Sequence, residues 1–298
     1  MSAPVKHLGI VVAVDGSPAS NAAACWAARD AAMKNVPLTV VHAVVTPTAT
    51  WPPVPSPDSL AVRLEDEGKK AVAHALKIAE DAMATDRKVT IKRELVYSTP
   101  ALALIKMSDE AEMIVVGSSG RGLLARGVLG SVSSTVVWHA NCPVAVIRDE
   151  DLPDPQHAPV LVGIDGSPAS ELATAIAFDE ASRRGVDLMA LHAWSDIVVS
   201  EILPELDYWS EVAAGAERRL AESLAGWQER YPNVTVSRVV VCDRPARQLI
   251  EKSESARLVV VGSHGRGGLT RLLLGSVSNA VLHSVRIPVV VARPVVSV

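Results

Sequence analysis

The sequence says the same thing twice, and that repetition constrains the fold more than any other feature. Asp15-Gly16-Ser17-Pro18-Ala19-Ser20 recurs letter for letter as Asp165-Gly166-Ser167-Pro168-Ala169-Ser170. Further along, Gly117-x2-Gly120-x9-Gly130-Ser131 recurs as Gly262-x2-Gly265-x9-Gly275-Ser276. A chain built this way is two copies of one fold, each with its own core and its own copy of any site. A length of 298 residues suits two domains. We place them at 1–148 and 159–298, with 149–158 as linker within the acidic, proline-bearing stretch from Arg148 to Pro159.

Each half alternates short valine-rich runs with longer helical patterns. The runs predict strands over 8–14, 38–44, 90–96, 113–117 and 143–147, then 159–164, 187–193, 234–241, 257–262 and 288–293. Met113-Ile114-Val115-Val116 and Leu258-Val259-Val260-Val261 are apolar throughout, as strands covered on both faces require. Helices are expected over 17–35, with Ser17 or Ser20 available as cap, and over 58–84 and 205–230. Pro100 and Pro245 fit first helical turns, and Ser131 and Ser276 open the last helix of each half. The resulting order implies an α/β fold of two tandem doubly wound domains. The copies are offset by 150 residues as far as His42/His192 and by 145 from Pro100/Pro245 onward. The difference of five falls between the second and third strands, where the first half carries a proline-rich loop over 46–55.

Composition removes several classes of function. A formal charge of -4 gives no basic footprint for nucleic acid, and ten aromatic residues leave little for base stacking. No apolar stretch reaches membrane-span length, and no signal peptide opens the chain, so a cytoplasmic protein is expected. Cys25, Cys142 and Cys242 form no C-x-x-C pair and read as reduced thiols.

The glycine clusters begin where the fourth strand of each half ends, at the sheet edge where open α/β folds bind ligands. Gly117 and Gly120 let backbone N–H groups approach an anion and permit positive φ. Gly130-Ser131 then opens a helix whose first amides are unpaired and whose dipole favours negative charge. Gly262, Gly265, Gly275 and Ser276 offer the same set. The bland alternative is that these glycines only shape a tight turn. Asp15 and Asp165 end the first strands and face the same crevice. Beside phosphates a bare carboxylate is repelled, so each is expected to meet a ribose hydroxyl, or phosphate through Mg²⁺ or water, or simply to cap the next helix. Arg121 and Arg266 flank the loops and either touch phosphate or are solvated. His42 and His192 read as satisfied structural histidines rather than metal ligands. No P-loop, no dinucleotide fingerprint after the first strand and no nucleophile–base set is present, so no catalytic residue is assigned.

With Asp-x-Ser after the first strand and G-x2-G-x9-G-[S/T] at 117–131 and 262–276, both halves resemble the universal stress protein family, in its tandem-domain, ATP-binding form. That resemblance implies a five-stranded parallel sheet ordered 3-2-1-4-5 in each half and one adenine nucleotide per domain. It implies adenine contacts around Val41 and Leu191, with Asp15 and Asp165 near ribose or phosphates. Phosphates would fall to the glycines and serines of the two loops, with Mg²⁺ carried by the ATP. It further implies a nucleotide-dependent regulator of stress response and growth. Its partners would be an unknown regulatory protein and, through the last strands at 143–147 and 288–291, a homodimer or the other half. The alternatives are a slow ATPase or other nucleotide-processing enzyme of related fold, and a scaffold whose glycines are purely structural. Replacing Gly117 and Gly262 by alanine is expected to empty both sites while leaving the fold mostly intact.

Overall fold

A computed structural model describes residues 7–45, 58–83, 87–120, 129–149, 157–194, 206–265 and 274–294. The chain divides into two compact units, Met1–Asp149 and Glu150–Pro294. The first contains β1 (Gly9–Ala13), α1 (Pro18–Lys34), β2 (Leu38–Val44), α2 (Asp58–Ala82), β3 (Ile91–Tyr97), α3 (Pro100–Met107), β4 (Ala111–Gly117), α4 (Ser131–His139) and β5 (Val144–Ile147). Its sheet is parallel and runs β3-β2-β1-β4-β5. The second contains β6 (Val160–Gly163), α5 (Pro168–Arg184), β7 (Leu188–Trp194), α6 (Leu206–Arg230), β8 (Val236–Cys242), α7 (Pro245–Ser253), β9 (Leu258–Gly262), α8 (Ser276–Ser284) and β10 (Val289–Ala292). Its parallel sheet runs β8-β7-β6-β9-β10. Each is the 3-2-1-4-5 order. The proline-rich loop and most of the linker lie outside the described residues.

Strand burial follows the composition of the runs. Ile10, Val11 and Val12 on β1 and Ile114 and Val115 on β4 are fully buried, because helices cover both faces of the sheet centre. The outer strands β3 and β8 are partly exposed along their length, and their sequences are correspondingly mixed in polarity. Of the thiols, Cys142 is buried, Cys25 half-buried and Cys242 exposed, all three free.

Helix ends are set by the local sequence. Ser17 caps α1 by accepting the Ser20 N–H at 3.2 Å, and Pro18 takes the first helical position, where no N–H is needed. Asn35 ends α1 in the left-handed region at φ 54°, and Gly185 ends α5 at φ 65°. Ser167 and Pro168 repeat the start in the second unit. Ser17 rather than Ser20 is therefore the cap, which frees Ser20 for the turn before it.

The sheet order makes β1 and β4 adjacent while their following helices cover opposite faces. That is the topological switch point at which a crevice opens beyond the strands' carboxyl ends. Asp15 and the glycine loop meet there.

Candidate functional site

The turn after β1 is held by its own side chains. Asp15 Oδ1 accepts the Ser17 N–H at 2.9 Å, and Ser20 Oγ accepts the N–H groups of Asp15 at 3.3 Å and Gly16 at 3.1 Å. Gly16 supplies the positive φ, 80°, that this turn requires. Asp15 thus ties the turn ahead of the Ser17 cap rather than capping α1 itself, and this contact uses one carboxylate oxygen. The other, Oδ2, is aimed across the crevice at Gly120, where an added Cβ would stand 2.8 Å away.

Beyond β4 the chain turns over Ser118, whose N–H donates to Ile147 at 2.7 Å and whose carbonyl accepts the Gly130 N–H at 2.7 Å. The second bond ties the ends of the glycine loop together. Ser17 Oγ donates to the Ser119 carbonyl at 3.4 Å, and Ser133 Oγ donates to the Gly117 carbonyl at 2.6 Å, so α1 and α4 both brace it. Neither Ser20 nor Ser133 is among the residues expected to form the site. The recurrence of Ser131-Val132-Ser133 as Ser276-Val277-Ser278 was a signal for the latter, and Ser278 makes the same bond to Gly262 at 2.5 Å.

Gly117, Gly120, Gly262 and Gly265 do not adopt positive φ, contrary to one reason given for them. A Cβ on Gly117 would lie 2.7 Å from the Ala19 carbonyl carbon and 2.9 Å from the Ser20 nitrogen. Gly117 therefore lets β4 pass against the first turn of α1. Gly262 does the same against Ala169 and Ser170. At Gly130 the nearest neighbour of a Cβ would be 3.4 Å away, an ordinary contact. What Gly130 contributes is the lack of a cap: as N-cap of α4 it offers no side chain to the first amides, and Gly275 repeats this on α8. Of the three helix starts at the crevice, α1 is capped by Ser17, while α3, led by Pro100, and α4 have no side-chain cap.

The first-unit residues converge on one cleft of about 390 Å³. That lies within the roughly 300–1,000 Å³ of small-molecule sites. Asp15, Gly117, Gly120, Gly130 and Ser131 form its polar side, and Val41 contributes to an apolar side completed by Pro100, Ala103 and Leu104 of α3. The α3 wall was not legible beforehand, since its residues are ordinary for a helix packed on a sheet. Val41 carries its strand bond to Val14 at 2.9 Å and Leu191 the matching one to Ile164 at 2.8 Å, which leaves each carbonyl a second lone pair. His42 Nδ1 lies 2.7 Å from the Val14 carbonyl, and His192 Nδ1 lies 2.7 Å from that of Ile164. A carbonyl only accepts, so Nδ1 carries the proton in both, as satisfied structural histidines should. Gly68 on α2 makes room for His42: a Cβ there would stand 2.5 Å from the ring.

The hydrogen-bond frame recurs in the second unit. Asp165 Oδ1 accepts the Ser167 N–H at 2.9 Å, the Gly275 N–H donates to Ser263 at 2.8 Å, and Gly265 faces Asp165 Oδ2. One difference is His264 in place of Ser119, whose Nδ1 lies 2.9 Å from Ser263 Oγ. Arg121 and Arg266 lie outside the described residues. Among the described residues no group of three or more His, Cys, Asp or Glu is placed to hold a metal ion, and no helix is long and apolar enough to cross a membrane.

The fold and crevice define a tandem doubly wound α/β protein with a cleft of small-molecule size at the switch point of the first unit. The family model described as "Universal stress protein family" matches residues 9–148 and again 157–293, and the chain belongs to that family. A universal stress protein of Mycobacterium tuberculosis is 67% identical over 295 residues, covering 98% of this chain and 99% of that protein. A second from the same organism is 54% identical over 295 residues with the same coverage. Among solved structures, a universal stress protein from Archaeoglobus fulgidus is similar with a TM-score of 0.71 at 19% identity, covering 96% of this chain and 98% of that one. At that identity the likeness concerns the fold.

Proposed function

We propose that each unit binds an adenine nucleotide, ATP in the first instance, and that the protein acts in the cytoplasm as a nucleotide-dependent regulator of stress response and growth. The observation that carries this reading is the uncapped start of α4 opening into the same cleft as Asp15 and the glycine loop. Unpaired amides and a helix dipole suit phosphates, while the apolar wall of Val41, Ala103 and Leu104 suits a base. Asp15, with one oxygen tying the turn, would turn the other toward ribose hydroxyls, or toward Mg²⁺ brought by the phosphates. In the second unit the corresponding contacts are Asp165, Leu191, Gly262, Gly265, Gly275 and Ser276. Arg121 and Arg266 would reach the phosphates from the loops, and a homodimer through the last strands belongs to the same proposal.

No nucleophile–base set stands in the described part of the cleft, so the triphosphate is held rather than attacked. Equilibrium titration with ATP, run beside an assay of phosphate release, tests both points. The expected result is binding to both units with turnover well below about 1 s⁻¹, the lower end for ordinary enzymes. Asp15→Ala should weaken the first site about tenfold, the worth of one charge-assisted hydrogen bond, and leave the second unchanged. Turnover in the ordinary enzymatic range would favour the ATPase alternative instead.

A further inference from the structure

The outermost strand of the first unit's sheet, β3, has an open edge. The Leu38 N–H donates to the Thr90 carbonyl at 3.0 Å, and Leu38 to Val44 run in register with Ile91 to Tyr97. In a parallel pair each residue turns both backbone groups to one side and alternate residues share it, so Lys92, Glu94 and Val96 follow Thr90 towards β2. Arg93, Leu95 and Tyr97 therefore hold their N–H and C=O groups outward, where no described strand pairs with them. Such an edge is a template for another strand. The side chains of the same three residues face α2, as the period of two requires. Leu95 lies against Gly68, whose added Cβ would stand 3.0 Å from it, and the Tyr97 hydroxyl bonds to Glu65. Tyr97 nevertheless leaves 59% of its surface exposed. Arg93 is exposed too, and its side chain makes no ion pair or hydrogen bond among the described residues.

Beside Arg93 and Leu95 lies a groove of about 370 Å³ between β3 and α2, with the buried Val72 at its floor and Lys69, Ala73 and Leu76 along its flank. It has room for an aromatic ring and apolar surface to receive one. A second copy of β3, related by a two-fold axis, can pair antiparallel with this edge in several registers. Centred on Arg93 the pairing sets Arg93 on Arg93, and centred on Glu94 it sets Glu94 on Glu94. Like charges directly opposite are destabilising. Centred on Val96 it carries Arg93 past the end of the strand, to Thr99. Centred on Leu95 it sets leucine on leucine and Arg93 opposite Tyr97, once on each side of the axis. Arg93, Leu95 and Tyr97 then exchange their outward backbone bonds with the second copy. Each guanidinium gains a ring face whose hydroxyl is bonded to a carboxylate, and each ring covers the apolar groove of the other copy. The outer strand of the second unit, β8, has Arg238 at the place of Arg93 but Cys242 at that of Tyr97, so it lacks the ring.

We propose that two copies of the chain associate through their β3 edges, paired antiparallel about Leu95, with Tyr97 of each seated against Arg93 and the α2 groove of the other. The contact is the same patch on both copies and closes on itself. It is separate from any pairing through the last strands and does not depend on nucleotide binding. Sedimentation equilibrium of the full chain tests it, in the wild type and in Arg93→Glu and Tyr97→Lys. Both positions are exposed, and circular dichroism checks that each variant is folded. Reversible dimerisation is expected in the wild type. Arg93→Glu sets a carboxylate against Tyr97 and its Glu65, and Tyr97→Lys sets an ammonium against Arg93. Each variant alone should associate at least about tenfold more weakly, because the two-fold axis doubles every substitution. Mixed in equal amounts, the two variants should regain association, since one contact becomes glutamate against lysine while the other stays arginine against tyrosine. An interface elsewhere, the last strands included, responds to neither substitution and shows no recovery on mixing. A monomeric wild type, undiminished association in either folded variant, or no recovery in the mixture would overturn the proposal.

Discussion

Gly117→Ala is expected to destabilise the first unit by about 1–3 kcal/mol, the usual cost of forcing extra atoms into a packed site. The methyl group would enter at 2.7 Å from a backbone carbon and 2.9 Å from a backbone nitrogen in the first turn of α1, and backbone cannot rotate aside as a side-chain end can. Replacing glycine also removes freedom from the unfolded chain, worth about 0.4–1 kcal/mol in the opposite direction, but that does not offset the clash. Gly262→Ala faces the same obstacle, with its methyl 2.9 Å from the Ala169 carbonyl carbon. The pair is expected to empty the sites with the fold mostly intact, but the added methyl groups also press on α1 and α5, so nucleotide loss in these variants would mix a moved helix with a damaged loop. Gly130→Ala, whose methyl meets nothing closer than 3.4 Å, should by contrast leave stability nearly unchanged. Thermal or denaturant unfolding of the three variants checks the ranking. Equal stability of Gly117→Ala and wild type would show that α1 yields without strain.

Ser131→Pro should weaken nucleotide binding in the first unit by one to two orders of magnitude while leaving α4 folded. Proline is favoured at the first helical position, and Gly130 already has the extended conformation, ψ 156°, that a following proline demands. The substitution removes an N–H that no side chain caps, together with the hydroxyl, at a residue that lines the cleft. A hydrogen bond to a charged group is worth about 1.5–3 kcal/mol, so losing even one accounts for the lower bound. Ser276→Pro should act alike on the second unit, since Gly275 has ψ 149°. Isothermal titration calorimetry with ATP, paired with circular dichroism, separates the two effects. Full affinity in a folded Ser131→Pro chain would remove α4 from the site.

Much of the fold could be read from the sequence because its cues are local. The uninterrupted apolar runs of β1, β4 and β9 announce strands covered on both faces, and Pro18, Pro100 and Pro245 mark helix starts by what they lack. The duplication supplied a second reading of each. The site was only partly legible, since one motif spaced by glycines carries three separate physical demands. Gly117 answers to the backbone of α1, Gly120 to the Asp15 carboxylate, and Gly130 to an uncapped helix. Spacing alone cannot separate these, because each appears only once the chain has folded against itself. Ser20, Ser133 and the α3 wall were missed for the same reason, and Gly68 because a helical glycine announces nothing about the histidine beneath it. The ring stack of Phe178, Trp227 and Tyr231 joins residues from α5 and α6 that no local pattern connects, so this stack in the second unit was not legible.

The nucleotide released by heating the purified protein, resolved by anion exchange and counted against chain concentration, tests the central claim most directly. Two uncapped helix starts, each beside an aspartate and a glycine loop, predict adenine nucleotide close to two equivalents per chain, either copurified or regained on incubation with ATP. A chain that carries none and takes up none would contradict the account, leaving the glycines as turn residues alone.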